Sequence, residues 1–205
     1  MKPSTELDSR PAVCVEHVSY AYGQRPALVE LSLSVNRGEL FAVLGPNGGG
    51  KTTLFRLLTT LVPLQDGQAS VFGFDLAREV AAIRRLIGVV FQAPSLDRKL
   101  TVAENIRLQG SLYGLGGAAL TQRTSALLVQ FAIADRANER TEKLSGGLKR
   151  RVELAKGLVH QPRLLLLDEP SAGLDPAARG ELRRYLRRLC DEEGVTVFLT
   201  THFLD

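Results

Sequence analysis

ELFAVLGPNGGGKTT, residues 39–53, decides the fold of this chain. ELFAVL (39–44) is almost wholly apolar, the composition of a strand covered on both faces in a parallel sheet. GPNGGGKT follows at once and fits the pattern G-x-x-x-x-G-K-[ST] in full. Glycines in such a loop let successive backbone N–H groups turn inward around an anion. Leu54, Leu57, Leu58 and Leu61 then fall at i, i+3, i+4 and i+7, a helix stripe that stops near Pro63. A strand, a glycine loop and a helix in that order bring helix-terminal N–H groups and the helix dipole to bear on phosphate. Gly45, Pro46, Asn47, Gly48, Gly49, Gly50 and Thr53 are the predicted cradle, Lys51 reaches the β- and γ-phosphates, and the Thr52 hydroxyl ligates magnesium. The competing reading, a glycine-rich turn that merely caps a helix, lacks an account of the strand before it.

A second half-site lies downstream. RLLLLDEP (163–170) places Asp168 and Glu169 at the carboxyl end of another apolar strand, the edge where ligands of open α/β sheets bind. Asp168 suits the magnesium shell, and Glu169 suits a general base that orients an attacking water. Two adjacent solvated acids are the plainer alternative. Gln92 ends IGVVFQ (87–92) and His202 ends the run VTVFLTTH (195–202). Gln92 is a candidate for magnesium or the water, and His202 for the γ-phosphate. A lone Gln or His at a strand end is more often structural, but both strands are expected to finish at the same sheet edge.

Outward from these motifs the character of the chain changes twice. VCVEHVSY (13–20) and LVELSLSV (28–35) alternate apolar and polar residues, as strands of an antiparallel subsheet do, and GQASVFGF (67–74) reads as a further β stretch. A short Arg-containing segment leads to IGVVFQ. Thr101 with Glu104 makes a capping box before a helix over about 102–113, and LTQRTSALLVQFAI supplies another after Gly116-Gly117. A helix over 148–159, the strand RLLLL, a helix over 177–190 and the strand VTVFLT restore α/β alternation. The fold class expected is α/β: a phosphate-loop core with a mainly parallel sheet, an N-terminal antiparallel β subdomain and an inserted helical subdomain. The divisions expected within the single domain, residues 1–205, are a flexible tail over 1–10, β subdomain and phosphate-loop core over 11–92, helical subdomain over 93–150, and returning core over 151–205.

Composition narrows the classes of function. The 205 residues are 44% hydrophobic and 23% charged, so one domain with a sizeable core is expected. Apolar runs such as LLLL (164–167) fall far short of the roughly 20 residues of a membrane-spanning helix. MKPSTELDSRP lacks an apolar signal core, which points to the cytoplasm. Cys14 and Cys190 are too few for a disulfide framework or metal site and read as free thiols. The net charge of +4 permits nucleic-acid or anionic-membrane contact. Arg183, Arg184, Arg187 and Arg188 recur opposite Leu182, Leu186 and Leu189 without interleaved aromatics, so they read as a solvated helix face, and no nucleic-acid partner is expected.

TEKLSGGLKRR (141–151) adds a second anion-binding turn, in which Ser145, Gly146 and Gly147 precede a helix striped by Leu148, Val152, Ala155 and Val159. A helical lobe separates this turn from the first loop, so its natural ligand is a nucleotide held by another copy. Two chains in head-to-tail array about a two-fold axis would each close the other's site.

Phosphate loop, Gln92, LSGG, LLLLDEP, SAGLD and His202, in this order and spacing, resemble the nucleotide-binding subunit of ATP-binding-cassette (ABC) transporters over nearly the whole chain from about residue 13. The resemblance implies ATP and magnesium as cofactors, ATP hydrolysis, a second ATP-binding subunit (a homodimer) and a transmembrane permease subunit, with the chain peripheral on the inner face of the cell membrane. It further implies that Tyr22 stacks on adenine and that Asp175 communicates between the two sites of the dimer. Asp175 before Pro176 is equally a helix N-cap, and Tyr20 would serve almost as well as Tyr22. FQAPSLDRKLTVAENIRLQGSLYGL most resembles type-2 exporters, including the multidrug and antibiotic efflux branch. Two features depart from the pattern. Leu148 stands where glutamine is usual after LSGG, which removes one polar contact. Family members also continue past the switch histidine, so the resemblance implies a truncated chain with an unpaired sheet edge. The competing functions are an ABC-type clamp on ribosomes or DNA, which usually carries tandem cassettes or coiled-coil insertions, and an unrelated phosphate-loop kinase, for which LSGG would be coincidental.

Overall fold

The computed structural model describes residues 10–46 and 48–202. In chain order these form β1 (Val13–Tyr22), β2 (Arg25–Val35), β3 (Leu40–Leu44), α1 (Lys51–Leu58), β4 (Asp66–Val71), β5 (Phe74–Asp75), α2 (Val80–Leu86), β6 (Ile87–Val90), α3 (Val102–Leu112), α4 (Gly117–Gln130), α5 (Gly146–Leu158), β7 (Leu164–Asp168), α6 (Pro176–Glu193) and β8 (Thr196–Thr201). Two sheets result. One has the order β2-β1-β4-β5 with antiparallel neighbours, and the other has the order β3-β8-β7-β6 with every pair parallel.

The four leucines of β7 explain how the layers stack. Each is fully buried, and alternation sends them to opposite faces of the parallel sheet. Leu164 and Leu166 join Leu54, Phe55, Leu57 and Leu58 of α1 and the inner face of the antiparallel sheet in one core. Leu165 and Leu167 join the other, with Val152 and Ala155 of α5 and Leu186 and Leu189 of α6. Helix α1 thus sits between the two sheets, and α3 to α6 cover the far side. Burial of each such leucine contributes roughly 1.5–3 kcal/mol, which is why an unbroken apolar run occupies this strand.

β3 departs from expectation. Among the described residues it pairs only with β8, so it is an edge strand: Leu40 packs against one core and Phe41 and Val43 against the other, but the cover is partial and Leu44 is 49% exposed. The run GQASVFGF is also not one strand. Phe72 and Gly73 adopt φ of 51° and 83°, a turn that folds β5 back on β4. Helix α2, in the segment read only as Arg-containing, buries Ile83 alone and so offers little apolar periodicity to find.

Elsewhere local signals hold. Thr101 Oγ1 accepts from the Glu104 amide at 3.2 Å while the Glu104 carboxylate accepts from the Thr101 amide at 2.7 Å, completing the capping box of α3. Helix α4 starts at Gly117, three residues before LTQRT. The α6 arginines at 183, 184, 187 and 188 are exposed, and Leu182, Leu186 and Leu189 are buried. Cys14 and Cys190 are free thiols. Helix α5 runs through residue 150, so it carries the expected boundary between helical segment and returning core within one rigid rod. It lies close on β6, because a Cβ at Gly88 would collide with the Gly157 carbonyl oxygen. Among the described residues no helix is long and apolar enough to cross a membrane.

Candidate functional site

Strand register brings the candidate residues to one edge. Leu44 lies opposite Thr201, Asp168 opposite Thr200, and Val90 opposite Leu167. Because the strands are parallel, all four carboxyl ends finish at nearly the same height, and Gly45, His202, Glu169 and the Phe91-Gln92 pair emerge together. Gln92 is exposed and lies two residues beyond the end of β6, so the strand stops before the glutamine that was expected to end it.

The glycine loop follows β3 and caps α1 with Gly50, which adopts φ 84° in the left-handed region. A Cβ there would also strike the backbone oxygen of Ala27 and a methyl of Leu28, so only glycine fits. Gly48 adopts φ 84° as well, and the Gly49 amide donates to the Pro46 carbonyl at 3.2 Å. Lys51 is 8% exposed and donates through Nζ to the Gly45 and Pro46 carbonyls at 2.5 and 3.0 Å. Its amine is therefore held inside the loop it is expected to serve. Thr52 faces outward and Thr53 is buried. Asn47 lies outside the described residues.

Tyr20 and Tyr22 take different surroundings. Tyr20 is 8% exposed in the core, and Tyr22 is 44% exposed with its ring edge-on to Tyr20 at 5.1 Å. A hydrogen bond with Thr53, and secondarily Arg56, draws the Tyr22 phenol below its ordinary pKa, which puts this ring against the first turns of α1. Of the two tyrosines, Tyr22 has the free face beside the loop.

At the end of β7 both acids are nearly buried, Asp168 at 9% exposure and Glu169 at 8%. The Thr200 hydroxyl donates to Asp168 Oδ1 at 2.6 Å, and the Glu169 amide donates to the Thr200 carbonyl and hydroxyl at 3.2 and 3.1 Å. Glu169 adopts φ 46°, a left-handed conformation costly for a non-glycine residue, and this turn swings its carboxylate out of the strand. Glu169 Oε2 then meets His202 Nδ1 at 2.7 Å. Adjacent solvated acids do not describe such a pair. Thr200 is not among the residues the sequence singles out, because only strand register sets it directly opposite Asp168.

Two candidates ride on other elements. Ser145 caps α5, accepting from the Leu148 amide at 3.4 Å, and open space surrounds the Cβ positions of Gly146 and Gly147. Leu148 packs its side chain against the helical core. Asp175 caps α6, accepting from the Ala178 amide at 2.9 Å with Pro176 as the first helical residue, as its sequence context predicts. A cleft of about 470 Å³, lined by Cys14, Glu16, Ser70, Asp75 and Arg78 among others, shares no residue with the candidate site.

The residues fit ATP and magnesium. Gly50 leaves no room for a side chain beside the loop, Lys51 supplies a cation there, and Asp168 Oδ2 is not used by Thr200. Among the described residues no three His, Cys, Asp or Glu side chains form a metal-holding group. Magnesium bound with nucleotide takes one or two protein oxygens, the rest coming from phosphate and water.

Residues 28–172 match the ABC transporter family. The chain is 42% identical over 194 residues to the daunorubicin resistance ATP-binding protein DrrA2 of Streptomyces coeruleorubidus, covering 95% of this chain and 60% of that protein. It is 36% identical over 190 residues to the linearmycin resistance ATP-binding protein LnrL of Bacillus subtilis, covering 93% and 61%. The chain thus spans about 60% of the length of these relatives. Among solved structures, CbiO1 of Clostridium perfringens, part of an ABC transporter complex, superposes with a TM-score of 0.88 at 31% identity, over 96% of this chain and 80% of that one. The ATP-binding cassette MJ0796, a post-hydrolysis dimer bound to ADP and phosphate, gives 0.83 at 29%, over 94% and 88%. With its phosphate loop, its Asp-Glu strand end and its LSGG helix in one fold, the chain belongs to the ATP-binding domain family of ABC transporters, whose characteristic activity is ATP hydrolysis.

Proposed function

We propose that this chain binds and hydrolyses ATP with magnesium, and that two such subunits close on two nucleotides to drive a separate transmembrane permease subunit. The observation that carries this reading is the 2.7 Å contact between Glu169 and His202 at the sheet edge shared with the glycine loop. Bound ATP and magnesium supply the scissile phosphoanhydride and the charge that neutralises its oxygens. The glycine loop and the first turn of α1 would cradle the phosphates with their backbone N–H groups, and Lys51 would leave the Gly45 and Pro46 carbonyls for phosphate oxygen. Thr52, Gln92 and Asp168 hold the metal, and Tyr22 offers its exposed face to the base. Glu169 accepts a proton from the attacking water, and His202 orients that carboxylate and reaches toward the γ-phosphate. Ser145, Gly146 and Gly147 receive the nucleotide of the partner subunit, and Asp175 lies on the route between the two sites.

Relatives named for drug resistance and for Nod factor export favour an exporter over a ribosome or DNA clamp. The subunit then works at the inner face of the cell membrane, as a homodimer, with no nucleic-acid partner. Differential affinity of ATP for the closed dimer supplies the mechanical work.

The test uses Glu169→Gln, which keeps the shape of the side chain and removes the base. Turnover is expected to fall by about 10²–10⁴-fold with ATP binding retained. Light scattering should then detect an ATP- and magnesium-dependent dimer that Ser145→Arg abolishes. Unchanged turnover sinks the assignment of Glu169, and a monomer under all conditions sinks the closure of one subunit on another.

A further inference from the structure

The cations that follow LSGG include one that does not lie on the surface. Arg150 and Glu153, one turn apart on α5, have side chains only 11% and 5% exposed, and they form an ion pair at 3.1 Å. The Arg150 guanidinium also donates to the Phe91 carbonyl at 2.9 Å, the Pro170 carbonyl at 3.1 Å and the Asp168 carbonyl at 3.4 Å. Those three carbonyls belong to the chain on either side of the candidate magnesium and water residues: Phe91 precedes Gln92, and Asp168 and Pro170 flank Glu169.

The same face of α5 continues the row. Glu153 Oε1 accepts from the Ser95 amide at 2.6 Å, and Lys156 Nζ donates to the Ser95 carbonyl and hydroxyl at 2.7 and 3.0 Å. At Gly157, the next residue, α5 lies against β6, where a Cβ on Gly88 would strike its carbonyl oxygen. Residues 92–95 are exposed, yet both ends of that short loop are tied to one helix. Burying a guanidinium is costly, and burial does pull Arg150 below its ordinary pKa while Glu153 opposes the shift. Only a planar fork can serve three carbonyls and a carboxylate together, so lysine is no equivalent here.

We propose that Arg150, Glu153 and Lys156 strap the Gln92 loop and the Asp168-Glu169 turn to α5, with Arg150 the positioning residue. The helix capped by Ser145 and the groups expected around the γ-phosphate then move as one body. Displacement of the partner-facing turn is felt directly at Gln92 and Glu169. This rests on the ATPase reading above.

The experiment compares Arg150→Lys with the unsubstituted full chain, by steady-state ATP hydrolysis, ATP affinity and amide hydrogen exchange. Arg150→Lys retains a cation opposite Glu153. It is expected to lower kcat by about tenfold or more with ATP affinity within about twofold, because the loop that binds phosphate is untouched. Exchange at the Ser95 amide and its neighbours should rise by a similar factor, since the tether is loosened. A structural role alone would lower thermal stability without a selective change at Ser95 or a kcat loss at constant affinity, and that result overturns the proposal. So does unchanged kcat with unchanged exchange. Lys156→Gln, which releases only Ser95, carries the same exchange test should Arg150→Lys fail to fold. Absence of turnover in the unsubstituted chain refutes the ATPase reading and the positioning role of Arg150 with it, whereas turnover unaltered by loss of the strap refutes the strap alone.

Discussion

Thr200→Val removes one hydroxyl from a fully buried side chain and keeps its branched shape. The hydroxyl donates to Asp168 at 2.6 Å, and a hydrogen bond to a carboxylate contributes roughly 1.5–3 kcal/mol. The Glu169 amide also loses a partner at 3.1 Å, but it keeps the Thr200 carbonyl at 3.2 Å, so no buried N–H is orphaned. A methyl in place of the hydroxyl recovers up to about 0.8 kcal/mol of burial. The balance is a loss of roughly 1–2 kcal/mol, read as a lower urea midpoint at unchanged slope. Turnover should fall too, because Asp168 loses the group that fixes one of its oxygens, and ATP affinity in the absence of magnesium should not. A change in unfolding free energy below about 0.5 kcal/mol, the range of an ordinary surface substitution, would refute the assignment of this hydroxyl as the clamp on Asp168.

Gly50→Ala should cost about 1–2 kcal/mol for the left-handed backbone alone, and more for the collision with the Ala27 carbonyl. Denaturant unfolding together with nucleotide titration checks it, and a variant with unaltered stability and affinity would contradict the geometry of the loop. His160 gives a pH dependence. Burial first, and then Arg123, holds its imidazole below the ordinary pKa against the opposing bond to the Ile87 carbonyl, and its ring stacks on Tyr113 at 3.6 Å. The unfolded chain gains a proton below about pH 6.5 that the folded chain resists, so acid favours unfolding. The stability of the natural chain relative to His160→Phe should therefore fall as pH drops from 7 to 5, by up to about 1.4 kcal/mol per unit. Denaturation series at several pH values measure the difference, and a constant difference would contradict a neutral buried imidazole.

Much of the site was legible because its parts are contiguous. Gly45 to Thr53, Asp168 with Glu169, and Ser145 to Gly147 each announce chemistry through neighbouring residues, and Asp175-Pro176 announces a cap that the structure contains. Gln92 and His202 are single residues, and only strand register unites them with the rest. Thr200 and Arg150 were illegible as site elements. Their partners lie 32 residues away for the Thr200 hydroxyl, and 18, 20 and 59 residues away for the carbonyls that Arg150 serves.

The amino-acid sequence by itself determined the alternation of elements, the phosphate loop between a strand and a helix, and the caps of α3, α5 and α6, since these depend on spacing and local hydrogen bonding. Only the tertiary structure decided that β3 lies at a sheet edge and that the GQASVFGF run turns back on itself. It also decided that a cation within LKRR is buried against the Asp168-Glu169 turn instead of solvated. An apolar run says that a strand wants cover without saying where in the sheet it will lie, and a charged residue says nothing of whether distant carbonyls will converge to replace water. Those outcomes depend on which segments pack together, a property of the whole chain that no short stretch carries.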